Sequence, residues 1–165
     1  MRDQAVKLRL YIASPLFNEA ERSFNIALAE ILEAFFDVFL PQRDGGLMAN
    51  LIKQGMNPNL AAMQVFQADI NAMTNCDILL AVLDGHSIDE GVAFELGFAF
   101  ANGKKCVGLQ TDIRRILPTG NNPMIDQSLQ LVFNSIVELT NWAKEFRKTD
   151  HFYLSLTNTD STNTD

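Results

Sequence analysis

The sequence predicts an α/β fold in which a parallel sheet carries helices on both faces, and two observations lead to it. Short apolar runs rich in Val, Ile, Leu and Tyr alternate with longer segments of helical period, which is typical of a parallel sheet with crossover helices. Hydrophobic residues make up 47% of the 165 residues, enough to bury one sizeable core but not two. We therefore expect a single domain over residues 1–149.

Five apolar runs are predicted to be strands. They cover residues 8–13, 38–40, 78–83, 106–110 and 131–137. Five parallel strands with helices on both faces indicate a flavodoxin-like doubly wound sheet, which binds ligands beyond the carboxyl ends of its strands where the strand order reverses. In that topology the reversal lies between the first and third strands. The loops 14–18 and 84–89 should therefore line the ligand site.

The first two helices are predicted from their N-caps and their apolar spacing. Asn18 is the expected N-cap of the first helix. Apolar residues then recur at helical spacing, namely Phe24, Leu28, Ile31, Leu32 and Phe35. Asn57 and Pro58 predict the start of the second helix, because proline at the first helical position loses no hydrogen bond.

The later helices follow the same signals. Asp89 is predicted to cap a third helix that runs to Asn102, where Gly103 would end it in a left-handed turn. A final helix is expected over residues 139–148. Residues 150–165 are polar and end in a low-complexity run, so we expect a disordered C-terminal tail.

Charge and hydropathy restrict the partners. The net charge of −7 and the pI of about 4.7 argue against nucleic acid or an anionic membrane, because both require clustered Lys and Arg. A small, neutral or weakly polar ligand fits better. The N-terminus has no apolar stretch long enough for a signal peptide, and no later run approaches the length of a membrane span. We therefore expect a cytoplasmic protein.

No cofactor is expected. The sequence has no metal-ligand spacing, no P-loop and no Gly-x-Gly-x-x-Gly fingerprint, which argues against a metal, a nucleoside triphosphate or a dinucleotide. Cys76 and Cys106 stand at the edges of apolar runs and are interpreted as buried free thiols. His86 has no second histidine nearby and is interpreted as a loop residue.

Glu95 is the candidate for chemistry within the acidic segment 84–98. It lies more than a turn inside the third predicted helix, with Phe94 and Leu96 beside it, so its surroundings should be more apolar than those of a surface glutamate. Gly91, one turn earlier, would let another molecule approach the carboxylate. The alternative is that Glu95 is an ordinary solvated helix residue, and spacing alone does not decide between the two.

Three further residues are candidates, each with a structural alternative. Asp69 shares a face of the second helix with apolar residues, and a carboxylate in such a place needs a partner or a reason. Asp89 at a helix start would serve as a cap even without a functional role. Tyr11, near the end of the first strand, is placed to donate a hydrogen bond to a carboxylate across the crevice or simply to pack in the strand.

Five segments, in this order and spacing, resemble the nucleoside 2-deoxyribosyltransferase family over residues 10–137. They are Tyr-Ile-Ala-Ser-Pro-Leu-Phe at 11–17, Leu-Pro-Gln-Arg-Asp-Gly at 40–45, Asp69 eight residues before Asp77, Asp-Glu-Gly-Val-Ala-Phe-Glu-Leu-Gly at 89–97, and Asn-Pro-Met at 122–124. The pair Asp89 and Glu95, six residues apart, is the most specific match.

The resemblance implies a transfer of the 2-deoxyribosyl group between nucleobases by a retaining double displacement. Glu95 would be the nucleophile and Tyr11 would orient it. Asp69 and Asp89 would hold the base, one of them supplying a proton with a raised pKa. No metal or organic cofactor would be needed.

The resemblance also implies a set of substrate contacts and a shared site. Gly91 would leave room for the substrate, Phe17 would border the base, and Gln42 and Asp44 would contact its edge. A neighbouring subunit would contribute two residues, Asn122 and Met124. The expected partners are therefore 2-deoxynucleosides, free nucleobases and further copies of the chain in a homo-oligomer.

Two other functions are weighed against transfer. A hydrolase of the same superfamily, acting on deoxynucleoside 5-monophosphates, needs small polar and basic residues after the first strand. Pro15, Leu16 and Phe17 stand there instead, although Arg22 is close. A non-catalytic flavodoxin-like module that senses a nucleotide would not require Glu95 at all.

Overall fold

The computed structural model describes residues 7–114 and 120–157, with side chains up to residue 146. The described residues form one sheet whose strand pairs are all parallel. The strands are β1 Arg9–Ala13, β2 Asp37–Phe39, β3 Ile78–Val82, β4 Lys105–Leu109 and β5 Leu131–Phe133. Their order across the sheet is β2-β1-β3-β4-β5. This order is flavodoxin-like and confirms the predicted fold class.

The strand order reverses between β1 and β3, as predicted. Within this pair Tyr11 lies beside Leu79, and Ala13 lies beside Ala81. All of β3 is buried, as expected for a parallel strand covered by helices on both faces. The carboxyl ends of β1 and β3 therefore open side by side, and the loops that follow them are the ones that the sequence placed at the ligand site.

Six helices surround the sheet in the described part of the chain. They are α1 Glu19–Leu32, α2 Met48–Lys53, α3 Pro58–Asn75, α4 Glu90–Ala101, α5 Pro123–Asp126 and α6 Ile136–Thr157. One core cluster joins α1 and α6 to one face of the sheet through Leu28, Leu32 and Leu139. A second cluster joins α3 and α4 to the opposite face through Met73 and Leu96.

The predicted helix caps are confirmed. Asn18 forms a reciprocal capping box with Glu21 at the start of α1. The side chains of Asn57 and Asp89 accept backbone hydrogen bonds at the starts of α3 and α4. Gly103, with φ of 69°, follows α4 in the left-handed conformation. These caps fix the helices that carry the candidate site residues.

The fifth predicted strand was too long at its carboxyl end. Strand β5 stops at Phe133, and α6 begins at Ile136 rather than at residue 139. The Ser135 hydroxyl accepts the Glu138 N–H at 3.2 Å, and the Glu138 carboxylate accepts the Asn134 N–H at 2.8 Å. This arrangement resembles a capping box and overrides the strand propensity of the β-branched residues that follow Ser135.

Helix α6 also extends to Thr157, past the predicted end at residue 148. Residues 150–157 are thus helical rather than disordered, since the segment has no Gly or Pro to end the helix. Residues 158–165 of the expected tail lie outside the described residues. A π-helical turn over Pro41–Gly45 and the short α2 were not predicted. None of the described helices has the length and hydropathy to span a membrane.

Candidate active site

The candidate site is built on a hydrogen bond between β1 and α4. The Tyr11 hydroxyl donates to Glu95 Oε1 at 2.6 Å. Tyr11 is completely buried in β1, and its ring stacks on Phe39 of β2 with the centroids 5.5 Å apart and the planes 12° apart. The phenol is therefore held in place, and it holds one carboxylate oxygen of Glu95.

Glu95 lies in a poorly solvated position, as its apolar sequence neighbours suggested. Burial raises its pKa to about 8, and the negative charges of Asp69 and Asp89 add to the increase. The hydrogen bond from Tyr11 acts in the opposite direction, because it stabilises the ionised form. Burial and the bond to Glu95 in turn raise the pKa of Tyr11, which stays a donor. A carboxylate in this position would favour a partner that develops positive charge.

Asp69 lies on α3, and in the described structure its buried Oδ1 has no hydrogen-bond partner. Burial raises the pKa of this carboxyl group to about 6. A buried, unpartnered acceptor is unfavourable by about 1–3 kcal/mol, and a ligand N–H is one way to satisfy it. The predicted conflict between this carboxylate and its apolar helix face is therefore present in the structure.

Asp89 and Gly91 are joined at the start of α4. Asp89 Oδ1 accepts the backbone N–H groups of Gly91 at 2.9 Å and Val92 at 3.2 Å, so the structural role weighed for Asp89 is present. A Cβ added at Gly91 would lie 3.0 Å from that same oxygen. The missing side chain of Gly91 thus makes room for the Asp89 cap. Its role in leaving room for a substrate stays a prediction.

Phe17 stands beyond the carboxyl end of β1 with its ring 73% exposed. Its backbone N–H donates to the Glu21 carboxylate at 2.7 Å, which ties the loop to α1. The ring is thus anchored through its backbone while its faces remain available. This is compatible with the predicted border of a base pocket.

Gln42 and Asp44 both use their polar atoms within the protein. Gln42 donates to the Arg22 carbonyl at 3.0 Å and accepts from Asn25 at 3.0 Å. Asp44 accepts the Leu40 N–H at 2.8 Å and the Arg43 guanidinium. Burial alone would raise the pKa of Asp44, but these donors outweigh it and lower the pKa. The structure gives both residues an anchoring role in the turn, and their contact with a base stays a prediction.

Asn122 and Met124 lie on the surface at α5. Asn122 caps this short helix by accepting the Met124 N–H at 2.9 Å. The Met124 side chain is 76% exposed, so it does not fill a pocket of its own chain. Their predicted insertion into a neighbouring subunit is compatible with this exposure.

Sequence reasoning missed three residues that shape the site. Phe39 packs on Tyr11, Gly45 approaches Asp69, and Asn25 joins the loop after β1 to Gln42. The sequence did contain a signal for Asn25, because it is a polar residue beside Phe24 in the first predicted helix. The structure shows that Asn25 is only 1% exposed. Among the described residues, no three His, Cys, Asp or Glu side chains are grouped as a metal site would require.

The family model described as nucleoside 2-deoxyribosyltransferase matches residues 10–150. A search of curated protein sequences gave no match.

Solved structures with the same fold include three of note. A conserved protein from Enterococcus faecalis V583 is 26% identical, with a TM-score of 0.66 over 85% of this chain and 99% of that chain. The 2-deoxyribosyltransferase from Bacillus psychrosaccharolyticus is 24% identical, with a TM-score of 0.67 over 81% and 90% of the two chains. The Leishmania mexicana 2-deoxyribosyltransferase is 21% identical, with a TM-score of 0.60 over 83% and 97%. Since the family model spans most of the sequence, this chain belongs to the nucleoside 2-deoxyribosyltransferase family.

Proposed function

We propose that the chain transfers the 2-deoxyribosyl group from one purine or pyrimidine base to another, as a cytoplasmic enzyme of nucleoside salvage. The proposal depends on the 2.6 Å hydrogen bond from the buried Tyr11 to the partly buried Glu95. A carboxylate held by a fixed donor in a poorly solvated position is suited to nucleophilic attack on a carbon that becomes positive as its bond to the base breaks.

The proposed reaction has two displacements. First, a Glu95 oxygen forms a bond to the anomeric carbon while the bond from that carbon to the base nitrogen breaks. The departing base keeps the electron pair and takes a proton from an acidic side chain. Second, a nitrogen of the incoming base attacks the anomeric carbon, the ester bond to Glu95 breaks, and the incoming base gives its N–H proton to the acidic side chain, which lost its own to the departing base. Two inversions give net retention.

Asp69 is our candidate for the acid. Its pKa of about 6 and its unpartnered Oδ1 suit a group that shares a proton with a base nitrogen. Asp89 is less suited, because its Oδ1 already accepts the backbone N–H groups of Gly91 and Val92. In this proposal Asp89 helps to hold the substrate from the start of α4.

We propose that the substrate is not phosphorylated. The loop after β1 offers Pro15, Leu16 and Phe17 rather than basic residues. Arg22 is the nearby basic residue that could bind a substrate phosphate. It donates to the Leu16 carbonyl at 3.1 Å. This contact supports the use of Arg22 in shaping the loop. A 5-monophosphate hydrolase remains the second reading, and the experiment below separates the two.

We further propose a homo-oligomer in which the partner supplies Asn122 and Met124. Helices α3 and α4 present an apolar surface, in which the rings of Phe66 and Phe94 are 6.3 Å apart and both more than half exposed. The exposed Leu60 and Met63 of α3 accompany them. A second copy of the chain covering this surface would bury it beside Glu95, the residue that follows Phe94.

The test is incubation with 2-deoxyinosine and free adenine or cytosine, with both nucleosides followed by chromatography. Formation of a new deoxynucleoside is expected. Release of deoxyribose that does not depend on added base would support hydrolysis instead. Glu95→Gln should abolish exchange, whereas the matched variant Glu90→Gln, an exposed glutamate on the same helix, should retain it. A ribonucleoside donor is the control for the sugar.

A second measurement addresses the ester. A 2-fluorinated sugar analogue should slow the second displacement and leave the sugar on the protein. Peptide mass spectrometry is expected to find the adduct on Glu95. An adduct on another residue would overturn the assignment of the nucleophile.

A further inference from the structure

We propose that Gly45 is a positioning residue for Asp69: because Gly45 has no Cβ, the Asp69 carboxyl group lies against the Pro41–Gly45 turn, with its buried and unpartnered Oδ1 facing Gly45 and the group in place to exchange a proton with a nucleobase nitrogen. This inference rests on the proposed function, in which Asp69 serves as the acid. It assigns to Gly45 a role that is exerted through Asp69.

The geometry at Gly45 is specific. An added Cβ would lie 2.9 Å from Asp69 Oδ1 and 3.5 Å from the ring of Phe39. A Cβ atom essentially never lies within 3.0 Å of a heavy atom from a residue distant in the chain. An alanine at position 45 would therefore force the carboxyl group of Asp69 to move. The backbone itself does not demand glycine, since the φ of Gly45 lies outside the left-handed region. The close approach of Asp69 therefore explains why a residue without a side chain suits this position.

The turn is anchored on the side of α1. The Gln42 amide donates to the Arg22 carbonyl and accepts from Asn25, both at 3.0 Å. Asn25 is itself fixed, because it donates to the Pro15 carbonyl at 2.9 Å and accepts from the Ser14 hydroxyl at 2.5 Å. A small displacement of the turn would disturb this buried amide network.

The turn is also anchored on the side of β2. Asp44 accepts the Leu40 N–H at 2.8 Å. Arg43 donates to the Val38 carbonyl at 3.0 Å and to the Glu33 carboxylate at 2.6 Å. With both sides fixed, the side chain of Asp69 is the part that gives way to a new methyl group at residue 45.

The surroundings of Asp69 set the direction of the effect. Tyr11 on β1 and Glu95 on α4 are close enough for the charge of Asp69 to raise the pKa of each. On the turn, the carboxylate of Asp44 is paired with Arg43. Because burial raises the pKa of Asp69, displacement of the carboxyl group toward water should lower it.

The test is a titration of Gly45→Ala with aspartate labelled with ¹³C at the side-chain carboxyl, followed by NMR. Because only aspartate is labelled, Glu95 gives no signal in the spectrum. The signal of Asp69 is the one that disappears in Asp69→Asn. We expect its pKa to fall by about one unit or more. Gly46→Ala is the matched control: it strains a neighbouring glycine whose φ is 86°, yet its Cβ would meet no atom within 4 Å. An unchanged titration in Gly45→Ala, or an equal change in Gly46→Ala, would overturn the inference.

Exchange kinetics give the second measurement. Gly45→Ala should lower kcat by about tenfold or more, because Asp69 no longer meets the departing base in position. The titration needs no turnover, so the role of Gly45 and the proposed transferase function are tested independently. Wild-type protein without exchange activity would remove the proposed function and leave the contact intact. Normal exchange in Gly45→Ala, with an unchanged titration, would remove the role of Gly45 and leave the transferase intact.

Discussion

Replacement of Tyr11 by phenylalanine tests the core of the proposed site. The substitution removes the hydroxyl that donates to Glu95 Oε1 and keeps the ring that stacks on Phe39. The fold should therefore survive. The Glu95 carboxylate loses the one interaction that lowers its pKa, while burial and the charges of Asp69 and Asp89 continue to raise it.

The size of the effect follows from the hydrogen bond. A bond to a charged acceptor contributes about 1.5–3 kcal/mol, and 1.36 kcal/mol corresponds to one pKa unit. The pKa of Glu95, about 8 in the wild type, should thus rise by roughly one to two units in Tyr11→Phe. At pH values below the wild-type pKa of Glu95, the ionised fraction of this residue would fall about 10- to 100-fold in the variant.

The assay is kcat/KM for base exchange as a function of pH, since this ratio reports the ionisation of the free enzyme. Because the ionisation of Asp69, the proposed acid, affects both proteins alike, the ratio of the Tyr11→Phe value to the wild-type value should rise as the pH rises through the pKa of Glu95. The loss should be greatest near pH 7 and should shrink to a few-fold where Glu95 is ionised in both. A loss of the same factor at every pH would refute the proposed effect on the nucleophile.

Three further predictions follow from the same geometry. Asp69→Asn should slow exchange by about 10²–10⁴-fold for bases that leave poorly and much less for bases that leave well, a comparison made with a series of donor nucleosides. Glu95→Gln should raise the melting temperature relative to wild type, and the gain should grow between pH 5 and pH 8, because over this range the carboxyl group of Glu95 is ionised in the unfolded chain but its raised pKa keeps it largely protonated in the folded wild type, which therefore loses stability as the pH rises. Phe66→Asp should weaken self-association in ultracentrifugation and lower activity per chain, whereas an unchanged sedimentation coefficient with lower activity would argue against an interface on α3 and α4.

The sequence was most informative where local chemistry fixes local structure. Asn18, Asn57 and Asp89 were recognised as caps because a short polar side chain before an apolar helix has few other uses there. The strand order followed from the alternation of strands and helices, and with it the loops that meet at the carboxyl ends of β1 and β3. A hydrogen bond from Tyr11 to a carboxylate across the crevice could be anticipated from its place near the end of β1, and the resemblance identified Glu95 as that carboxylate.

Contacts made by irregular backbone could not be predicted in the same way. The approach of Gly45 to Asp69 depends on the path of a π-helical turn, and no periodicity in the sequence specifies that path. Gln42 was assigned to the substrate by resemblance, but its amide bonds to Arg22 and Asn25 appear only once α1 and the turn are packed together. Residue type shows that a side chain can form a hydrogen bond, and only the tertiary structure shows with which partner.

The two central carboxyl groups constrain the proposed mechanism. In the free protein burial raises the pKa of both, that of Glu95 to about 8 and that of Asp69 to about 6, so the surroundings favour the protonated form of each. The proposed chemistry requires Glu95 to be ionised and Asp69 to be protonated. A bound nucleoside would supply the change: a base that covers Asp69 would remove the remaining water from its carboxyl group and accept a hydrogen bond from its protonated form, which would raise its pKa. Positive charge developing at the anomeric carbon would stabilise the ionised form of Glu95 and lower its pKa. In the proposed mechanism it is therefore the full substrate, rather than either the base or the sugar alone, that places the proton on the acid and the charge on the nucleophile.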